Sequence, residues 1–202
     1  MPTPDASTKG GSYHHGDLRA TLLGAAMRML ERGEPFSLRA IARQAGVSPT
    51  APYRHFAGKQ ALESALAAGG LRELRTELTR GHARPRTVAE LAEFGVAYVR
   101  FALRRPALFG LMFGSACDDQ DDERVRAAAA IHELIADAVR AVFPGADPVP
   151  LATAGWGLAH GLACLYLDGK LTSTSADDVA EHVRTAFVAA FTAAPAPAES
   201  AR

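Results

Sequence analysis

The stretch LRAIARQAGVSPTAPYRHF, residues 38–56, decides the fold predicted for this chain of 202 residues. Its first half has apolar residues at helical spacing, and the small Ala42 and Ala45 let a second helix cross closely. Gly46 tolerates the positive φ that a sharp turn needs, because it has no Cβ. Two short helices joined in this way form a helix-turn-helix, in which the second helix presents its N-terminal side chains to the major groove of DNA.

A second short helix is predicted after this turn, ending near His55. Ser48 is a good N-cap for it, and Pro49 suits its first position because the N–H that proline lacks would have no partner there. Pro52 removes one more hydrogen bond, a loss that a helix of two turns tolerates. Ser37 is an equally good cap for the first of the two helices.

The side chains around the second helix suit a polyanionic partner. Thr50 and Ala51 are short enough to approach a base edge or a thymine methyl group. Groups that can bind phosphates follow at four positions: Tyr53, Arg54, His55 and Lys59. Lys59 also opens a helix whose free N–H groups favour an anion. A purely structural helical corner is the alternative interpretation of this segment.

The formal net charge of zero, from 22 basic and 22 acidic residues, conceals a division along the chain. Residues 1–60 hold eight basic and four acidic residues, a net charge of +4. Residues 61–202 therefore carry a net charge of −4. A small basic part joined to a larger acidic part indicates that the basic part meets a polyanion.

Helical spacing of apolar residues continues along the chain, and no run alternates with the period of two that a strand requires. A first helix is predicted from Leu18 until Gly33 stops it, and the later helices are predicted near 59–80, 87–104, 106–113, 122–143, 150–168 and 176–193. The predicted fold is all-α, with a three-helix helix-turn-helix domain at 13–58 and a helical bundle at 59–194. Residues 1–12 and 195–202 are predicted to be a flexible arm and a flexible tail.

Residues 13–59 resemble the TetR family of bacterial transcriptional regulators, through YHHGDLR at 13–19, LRAIARQAGVS at 38–48 and APYRHFAGK at 51–59. The resemblance implies an N-terminal DNA-binding domain, a C-terminal domain for ligand binding and dimerisation, and repression that a ligand relieves. It implies DNA contacts from Ser37, Arg39, Ser48, Thr50, Tyr53, His55 and Lys59. It also implies an arm near the DNA backbone, formed by Tyr13, His14, His15 and Arg19.

The stretch VPLATAGWGLAHGLACLYL, residues 149–167, has no charged residue. A membrane span is disfavoured by its three glycines, by His160 and by the lack of flanking Lys/Arg clusters. We predict a buried or dimer-forming helix, paired with the helix near 176–193 in an intersubunit four-helix bundle. Trp156, His160 and Gly161 resemble the Trp-His-Gly class of TetR-family C-terminal domains.

A pocket for a hydrophobic effector is predicted inside the bundle, because aromatic residues form stripes on two helices joined by a proline. The lining residues are predicted to be Tyr98, Phe101, Met112, Phe113, Ile135, Trp156 and His160. The alternative is that these stripes form ordinary core and that His160 is a hydrogen-bonded core histidine.

The sequence lacks the motifs GxxxxGK[ST], GxSxG, HExxH and CxxC, so no enzyme activity, cofactor or metal is expected. The acidic run 118–123 has neither the glycine nor the final glutamate of a calcium loop, and we interpret it as a solvated helix start. Cys117 and Cys164 are too few for a disulfide framework, which favours the cytoplasm.

These observations together predict a cytoplasmic, homodimeric regulator that binds a palindromic operator in double-stranded DNA. It is expected to be a repressor relieved by an unidentified hydrophobic small molecule, and to have no membrane partner. The alternative is a non-enzymatic, ligand-binding helical protein without DNA binding. Gly69 and Gly70, inside the long helix near 59–80, are predicted to permit a bend between the two domains.

Overall fold

The computed structural model describes residues 18–35, 37–80, 84–114 and 123–192. In these ranges the chain forms eight α-helices and one short 3-10 helix, with no strand. The α-helices are α1 (Leu18–Glu31), α2 (Leu38–Gln44), α3 (Lys59–Thr79), α4 (Val88–Arg104), α5 (Pro106–Phe113), α6 (Glu123–Val142), α7 (Pro148–Leu167) and α8 (Ala176–Thr192). The 3-10 helix, Ala51–Arg54, lies between α2 and α3. The all-α prediction is confirmed, and α3 to α8 begin and end within two residues of their predicted positions.

Several features predicted from the sequence lie outside the described residues. They are the arm 1–12, Tyr13, His14, His15, Cys117, the acidic positions 118–122 and the tail 195–202.

The hydrophobic residues form two clusters that divide within α3. The first cluster joins α1 and α2 to the beginning of α3 and ends at Leu66, and the second begins at Ala67. We call residues 18–66 the head and residues 67–192 the body. The domain boundary predicted between residues 58 and 59 falls where α3 begins, so the first two turns of α3 pack in the head although the helix continues into the body.

One glycine of the pair in α3, Gly70, has a packing role that the sequence did not indicate. The helix runs without interruption from Lys59 to Thr79. A Cβ on Gly70 would lie 2.6 Å from the Met112 sulfur and 3.0 Å from a methyl carbon of Leu108, both on α5. Gly70 therefore allows α5 to approach α3 closely, whereas Gly69 meets only the end of the Arg72 side chain at 4.0 Å.

In the body, α4 packs against α7 and α8, while α3 packs against α5 and α6. The outer faces of α7 and α8 carry exposed apolar side chains, among them Val149, Leu165 and Val188. Gly157 and Gly161 on α7 have no neighbouring atom within 4 Å of an added Cβ. Within the described ranges, none of the helices combines the length and apolar character needed to cross a bilayer.

Candidate nucleic-acid interface and effector cavity

The turn after α2 has the geometry that its sequence predicts. Gly46 has a φ of +69°. The N–H of Val47 donates to the carbonyl of Ala42 at 3.0 Å, and that of Gly46 donates to the carbonyl of Arg43 at 3.2 Å. These two bonds form a Schellman motif, which satisfies the last carbonyl groups of α2 and turns the chain sharply. At the other end of α2, the Ser37 hydroxyl accepts from the N–H of Ala40, as predicted.

The helix after the turn differs from its prediction. The chain forms one 3-10 helix at Ala51–Arg54, not two α-helical turns from Ser48. Thr50 occupies the N-cap position and makes no side-chain cap bond, so the predicted cap at Ser48 is wrong, as is the place predicted for Pro49. It is Pro52 that lies in the first turn. Pro52 supplies no N–H for an α-helical bond to the Ser48 carbonyl, and the N–H of Ala51 donates to that carbonyl instead, three residues back as in a 3-10 helix.

Most of the residues predicted to contact DNA lie on the surface of the head. Those exposed are Ser37, Arg39, Ser48, Thr50, Tyr53, Arg54, His55 and Lys59, and Ala51 is half-buried. Tyr53 stands out, because 53% of this large aromatic residue is exposed. The 3-10 helix packs against α2, and the hydroxyls of Ser48 and Thr50 lie 3.3 Å apart. A tyrosine held outside the core in this way is available to a partner.

The beginning of α3 provides an additional place for an anion. Gly58 is the N-cap and offers no side chain to the first N–H groups of the helix. Lys59, the first helical residue, lies 3.2 Å from the Glu63 carboxylate one turn later and keeps 60% of its side chain exposed. The N-terminus of a helix and an exposed ammonium group together favour a phosphate at this position.

Arg19 lies at the contact between head and body. Its guanidinium group lies over the Phe56 ring at 5.6 Å and forms an ion pair of 2.7 Å with Glu123, the first residue of α6. Arg72 of α3 binds the other oxygen of Glu123 at 2.8 Å. Burial acts to raise the pKa of Glu123, but the hydrogen bonds from Arg72 and Arg19 outweigh it and hold that pKa below its ordinary value. The structure thus gives Arg19 a partner in the body, whereas the resemblance implied a place near DNA.

A second arginine links the same two parts of the molecule. Arg105, between α4 and α5, forms ion pairs of 2.7 Å with Glu31 at the end of α1 and with Glu73 on α3. Charged contacts therefore join the head to body residues that precede and follow α5 along the chain.

Three cavities meet around Trp156 in the body. The largest, about 380 Å³, lies between α6 and α7 and is lined by residues that include His132, Ile135 and Thr153. The second, about 200 Å³, lies among α3, α4, α5, α6 and α7. The third is only about 30 Å³, room for one or two water molecules and too small for an organic effector.

The predicted lining residues divide between these cavities and the core around them. Tyr98, Met112, Phe113 and Trp156 line the 200 Å³ cavity. Ile135 and Trp156 line the 380 Å³ cavity. Phe101 is fully buried in the body core, outside the walls of the three cavities. His160 also lies outside these walls.

His160 takes part in a chain of hydrogen bonds behind the cavity wall. The indole N–H of Trp156 donates to the Tyr98 hydroxyl at 3.4 Å, and that hydroxyl lies 2.9 Å from His160 Nδ1. The hydroxyl that accepts from Trp156 keeps its own proton for a bond to Nδ1 in the tautomer of His160 that carries its proton on Nε2. Burial raises the pKa of Tyr98 well above its ordinary value and lowers that of His160, so both groups are neutral at pH 7. This supports the interpretation of His160 as a hydrogen-bonded core histidine.

Sequence reasoning missed Arg124 as a cavity residue. Arg124 lines the 200 Å³ cavity and is only 8% exposed. A signal was present, because Arg124 shares one helical face with Ala128, Ile131 and Ile135, at spacings of four, seven and eleven. Within the described ranges, no group of three or more metal-ligating side chains is close enough to hold an ion.

A helix-turn-helix head with exposed polar side chains, joined to a helical body with cavities around Trp156, defines a helix-turn-helix transcriptional regulator. The family profile "Bacterial regulatory proteins, tetR family" matches residues 22–66, and "Tetracyclin repressor-like, C-terminal domain" matches residues 91–191. The chain belongs to the TetR family and is a DNA-binding transcriptional regulator. The Trp-His-Gly subclass stays a prediction.

Solved structures show the same fold. A protein of unknown function from Rhodococcus sp. RHA1 superposes with a TM-score of 0.76 and 32% identity, over 89% of this chain and 98% of its own. A TetR/AcrR-family regulator from Thermobifida fusca YX-ER1 has a TM-score of 0.67 and 18% identity, over 85% and 97%. A TetR transcriptional regulator from Rhodococcus sp. RHA1 has a TM-score of 0.59 and 19% identity, over 87% and 95%. No curated protein matches the sequence.

Proposed function

We propose that this protein is a cytoplasmic, homodimeric repressor that binds a palindromic operator and is released when a small hydrophobic effector enters the body. The head and the body are the functional units of this proposal, as the DNA-binding domain and the domain for effector binding and dimerisation. The protein carries out no catalysis in this scheme.

The position of α5 carries the proposal. Leu111 of α5 packs against the hydrophobic cluster of the head, and the next two residues, Met112 and Phe113, line the 200 Å³ cavity. One short helix therefore contacts both the head core and the effector cavity. An effector that displaces Met112 and Phe113 also shifts Leu111, because these residues belong to the same rigid helical turns. Such a shift changes the place of the head relative to the body.

Dimer formation is supported by the uncovered faces of α7 and α8. Val149, Leu165 and Val188 leave apolar surface exposed, and apolar surface of this kind marks contact sites. Gly157 and Gly161 leave room on α7 for a close approach by another helix. Two chains paired through these faces would present two heads, which must lie about 34 Å apart to enter successive major grooves on one side of DNA.

Operator binding is testable by fluorescence anisotropy with double-stranded DNA from the region upstream of the protein's own gene. Affinity is expected to fall steeply with salt, because phosphate contacts release counterions. Both Tyr53→Ala and Lys59→Ala should weaken binding. Only Lys59→Ala should also reduce the slope of log affinity against log salt, by about one.

Arg140→Ala is the matched control, since Arg140 is an exposed arginine in the last turn of α6, the opposite end of this helix from its contact with the head. Equal losses for the control and the two head variants would contradict a DNA interface around the 3-10 helix. No binding to the upstream DNA at any salt concentration would contradict repression of the protein's own gene.

The dimer is testable by sedimentation velocity. Gly157→Arg should yield a monomer, since the added side chain fills the surface that the partner helix needs. Gly110→Arg is the control, because Gly110 is also exposed on a helix and also has no neighbour within 4 Å. A Gly157→Arg protein that stays dimeric would place the interface elsewhere.

A further inference from the structure

The two larger cavities around Trp156 differ in what each offers to an effector. The 200 Å³ cavity reaches α5 through Met112 and Phe113, so a molecule inside it can act on the head. It is smaller than the roughly 300 Å³ at which typical small-molecule sites begin. The 380 Å³ cavity is large enough, but its lining residues belong only to α6 and α7. Neither cavity alone therefore provides both sufficient volume and contact with α5.

The two cavities also differ in exposure and polarity. The wall of the 380 Å³ cavity includes the exposed side chains of Glu133, Arg140 and Thr153, and we call this cavity the outer groove. The wall of the 200 Å³ cavity comes from five helices and consists mainly of buried apolar side chains, such as Leu71 and Leu74. We call it the inner compartment.

The polar groups in the wall of the inner compartment are bound to other protein groups. The Tyr98 hydroxyl lies within hydrogen-bond distance of both Trp156 and His160. The Arg124 guanidinium group donates to the Met112 carbonyl at 2.6 Å. A polar group of a ligand would have to compete with these bonds, and a polar group buried without a partner is unfavourable. The inner compartment is therefore suited to the apolar part of a ligand.

A pair of rings lies between the inner compartment and the outer groove. His132 and Trp156 line both of them, and their ring centroids lie 4.9 Å apart in an edge-to-face contact. His132 is exposed and forms no hydrogen bond within the described ranges. A change of side-chain rotamer at His132 therefore breaks the ring contact but no hydrogen bond, and it opens a passage beside Trp156.

We infer that the effector is a single elongated amphipathic molecule that occupies both cavities. Its apolar end fills the inner compartment against Met112 and Phe113, and its polar end stays in the outer groove. The His132–Trp156 pair is the gate through which the apolar end passes. The inference rests on the proposed function, because it takes the two cavities together as the effector site. A molecule of this shape gains contact area in the outer groove and still reaches α5.

The outer groove is largely separate from the proposed dimer face. Among the residues named for that face, Val149 alone also lines the groove. Gly157 and Gly161 follow Trp156 by one and five positions, which places them about 100° and 140° around α7 from it. Pairing of two chains through these glycines therefore uses a different side of α7 from the one that borders the groove.

The test uses the full-length protein and unbranched primary alcohols from 1-butanol to 1-decanol. Trp156 is the only tryptophan and lines both cavities, so its fluorescence reports binding in either one. Affinity should rise about fourfold with each added CH₂ group up to 1-decanol, because each further group is buried. 1,10-Decanediol has the same length, and it should bind at least about tenfold more weakly than 1-decanol, since one of its hydroxyls must enter the inner compartment.

Two variants each fill one cavity with an aromatic ring. Ala128→Phe fills the inner compartment and Ala152→Phe fills the outer groove. Each should weaken 1-decanol binding at least about tenfold, the effect of about two CH₂ groups, because a molecule that spans both cavities needs both. 1-Butanol fits in one cavity and should lose affinity in only one of the two variants. Ala129→Phe is the matched control, since Ala129 is exposed on the same helix and lines neither cavity.

The gate is testable by stopped-flow fluorescence. His132→Ala removes one of the two rings, and should speed the association of 1-decanol by roughly threefold or more, because binding that waits for a conformational change is slow. The association of 1-butanol should be unaffected when it binds in the outer groove. Equal association rates of 1-decanol with wild type and His132→Ala would overturn the role of this pair as a gate.

Four results would overturn the inference as a whole: affinity that stops rising at 1-hexanol, 1,10-decanediol that binds as tightly as 1-decanol, no saturable binding of 1-decanol up to its solubility limit, or unchanged 1-decanol affinity in either filled variant. The first three use wild-type protein alone, so the test holds even where a filled variant does not fold.

The same alcohols added to the operator complex separate this inference from the proposed function. Binding of 1-decanol that both filled variants weaken, without release of DNA, would support the inference and contradict ligand-relieved repression. Release of DNA by a compound whose affinity does not change in Ala152→Phe would support ligand-relieved repression and overturn the inference.

Discussion

The head core consists mainly of small and medium-sized apolar side chains, whereas the body core is rich in aromatic ones, and the two cores fill the space between their helices differently. In the head, Leu22, Ala25, Ala26 and Ile41 have no exposed surface. In the body, by contrast, three cavities surround the half-buried Trp156. The head presents its functional side chains on the surface, and a fully packed core beneath them holds those side chains in fixed positions. A site inside the body needs volume that the chain itself leaves unfilled.

The largest expected effect separates the two cores directly. Ile41→Ala should lower the free energy of unfolding by about 3–5 kcal/mol, because it leaves a new cavity among close-packed neighbours. Ile131→Ala should cost less, since one side of Ile131 already faces the 200 Å³ cavity and has fewer atoms to lose contact with. Urea denaturation followed by circular dichroism measures both. If Ile131→Ala lowered the free energy of unfolding as much as Ile41→Ala does, the two cores would not differ in packing.

Backbone conformation provides a second contrast, in which two glycine variants change stability in opposite directions. Gly46→Ala should destabilise by about 1–2 kcal/mol, because alanine is strained at a φ of +69°. Gly110→Ala on α5 should stabilise by about 0.5–1 kcal/mol, since a helical glycine is replaced where an added Cβ meets no atom. Thermal unfolding of the two variants checks both signs. A stabilising Gly46→Ala would mean that the turn does not need its left-handed residue.

A smaller effect on stability is expected when a change of pH titrates His160 in the body. Burial lowers the pKa of His160 in the folded protein, so the unfolded chain binds a proton more readily than the folded one. The folded state is therefore favoured above the ordinary pKa near 6.5 and loses this advantage as pH falls below it. His160→Asn keeps an acceptor for Tyr98 but does not titrate, and should flatten the stability profile between pH 7 and 5. An unchanged slope would contradict this role.

The smallest effect is expected at the contact between head and body. Glu123 has a lowered pKa, so its contribution is present above the ordinary pKa near 4.5 and is lost as pH falls below that value. About a third of the Glu123 side chain is exposed, so its coupling to Arg72 should be only about 0.2–1 kcal/mol. A double-mutant cycle of Glu123→Gln and Arg72→Gln, repeated in high salt, measures it. A coupling that does not weaken in salt would indicate a drier contact than the structure shows.

The head could be predicted from sequence in more detail than the body. The cap at Ser37 and the positive φ of Gly46 follow from local chemistry, since each depends on residues a few positions away. The same local reasoning predicted the wrong type of helix after Ser48, where two prolines, Pro49 and Pro52, fall within one short helical segment. Local reasoning predicted that a helix follows Ser48, but not that this helix is a single 3-10 turn at Ala51–Arg54.

In the body, sequence periodicity identified the apolar faces but not what they enclose. Four of the large, mainly apolar side chains that are predicted to line a pocket do line one cavity: Tyr98, Met112, Phe113 and Trp156. Phe101 met the same criterion and is ordinary core. Whether a buried aromatic side chain meets a cavity or a neighbour depends on helices distant in sequence, which periodicity within one helix does not describe.

The sequence by itself determined the all-α class, the boundaries of the α-helices, the turn at Gly46 and the set of polar side chains on the head surface. These depend on hydrogen bonds and spacings within a few residues. Tertiary structure decided the packing role of Gly70 against α5, the pairing of Arg19 with Glu123 and the entry of Arg124 into a cavity. Each of these joins residues more than ten positions apart, and only the relative placement of whole helices brings such residues into contact.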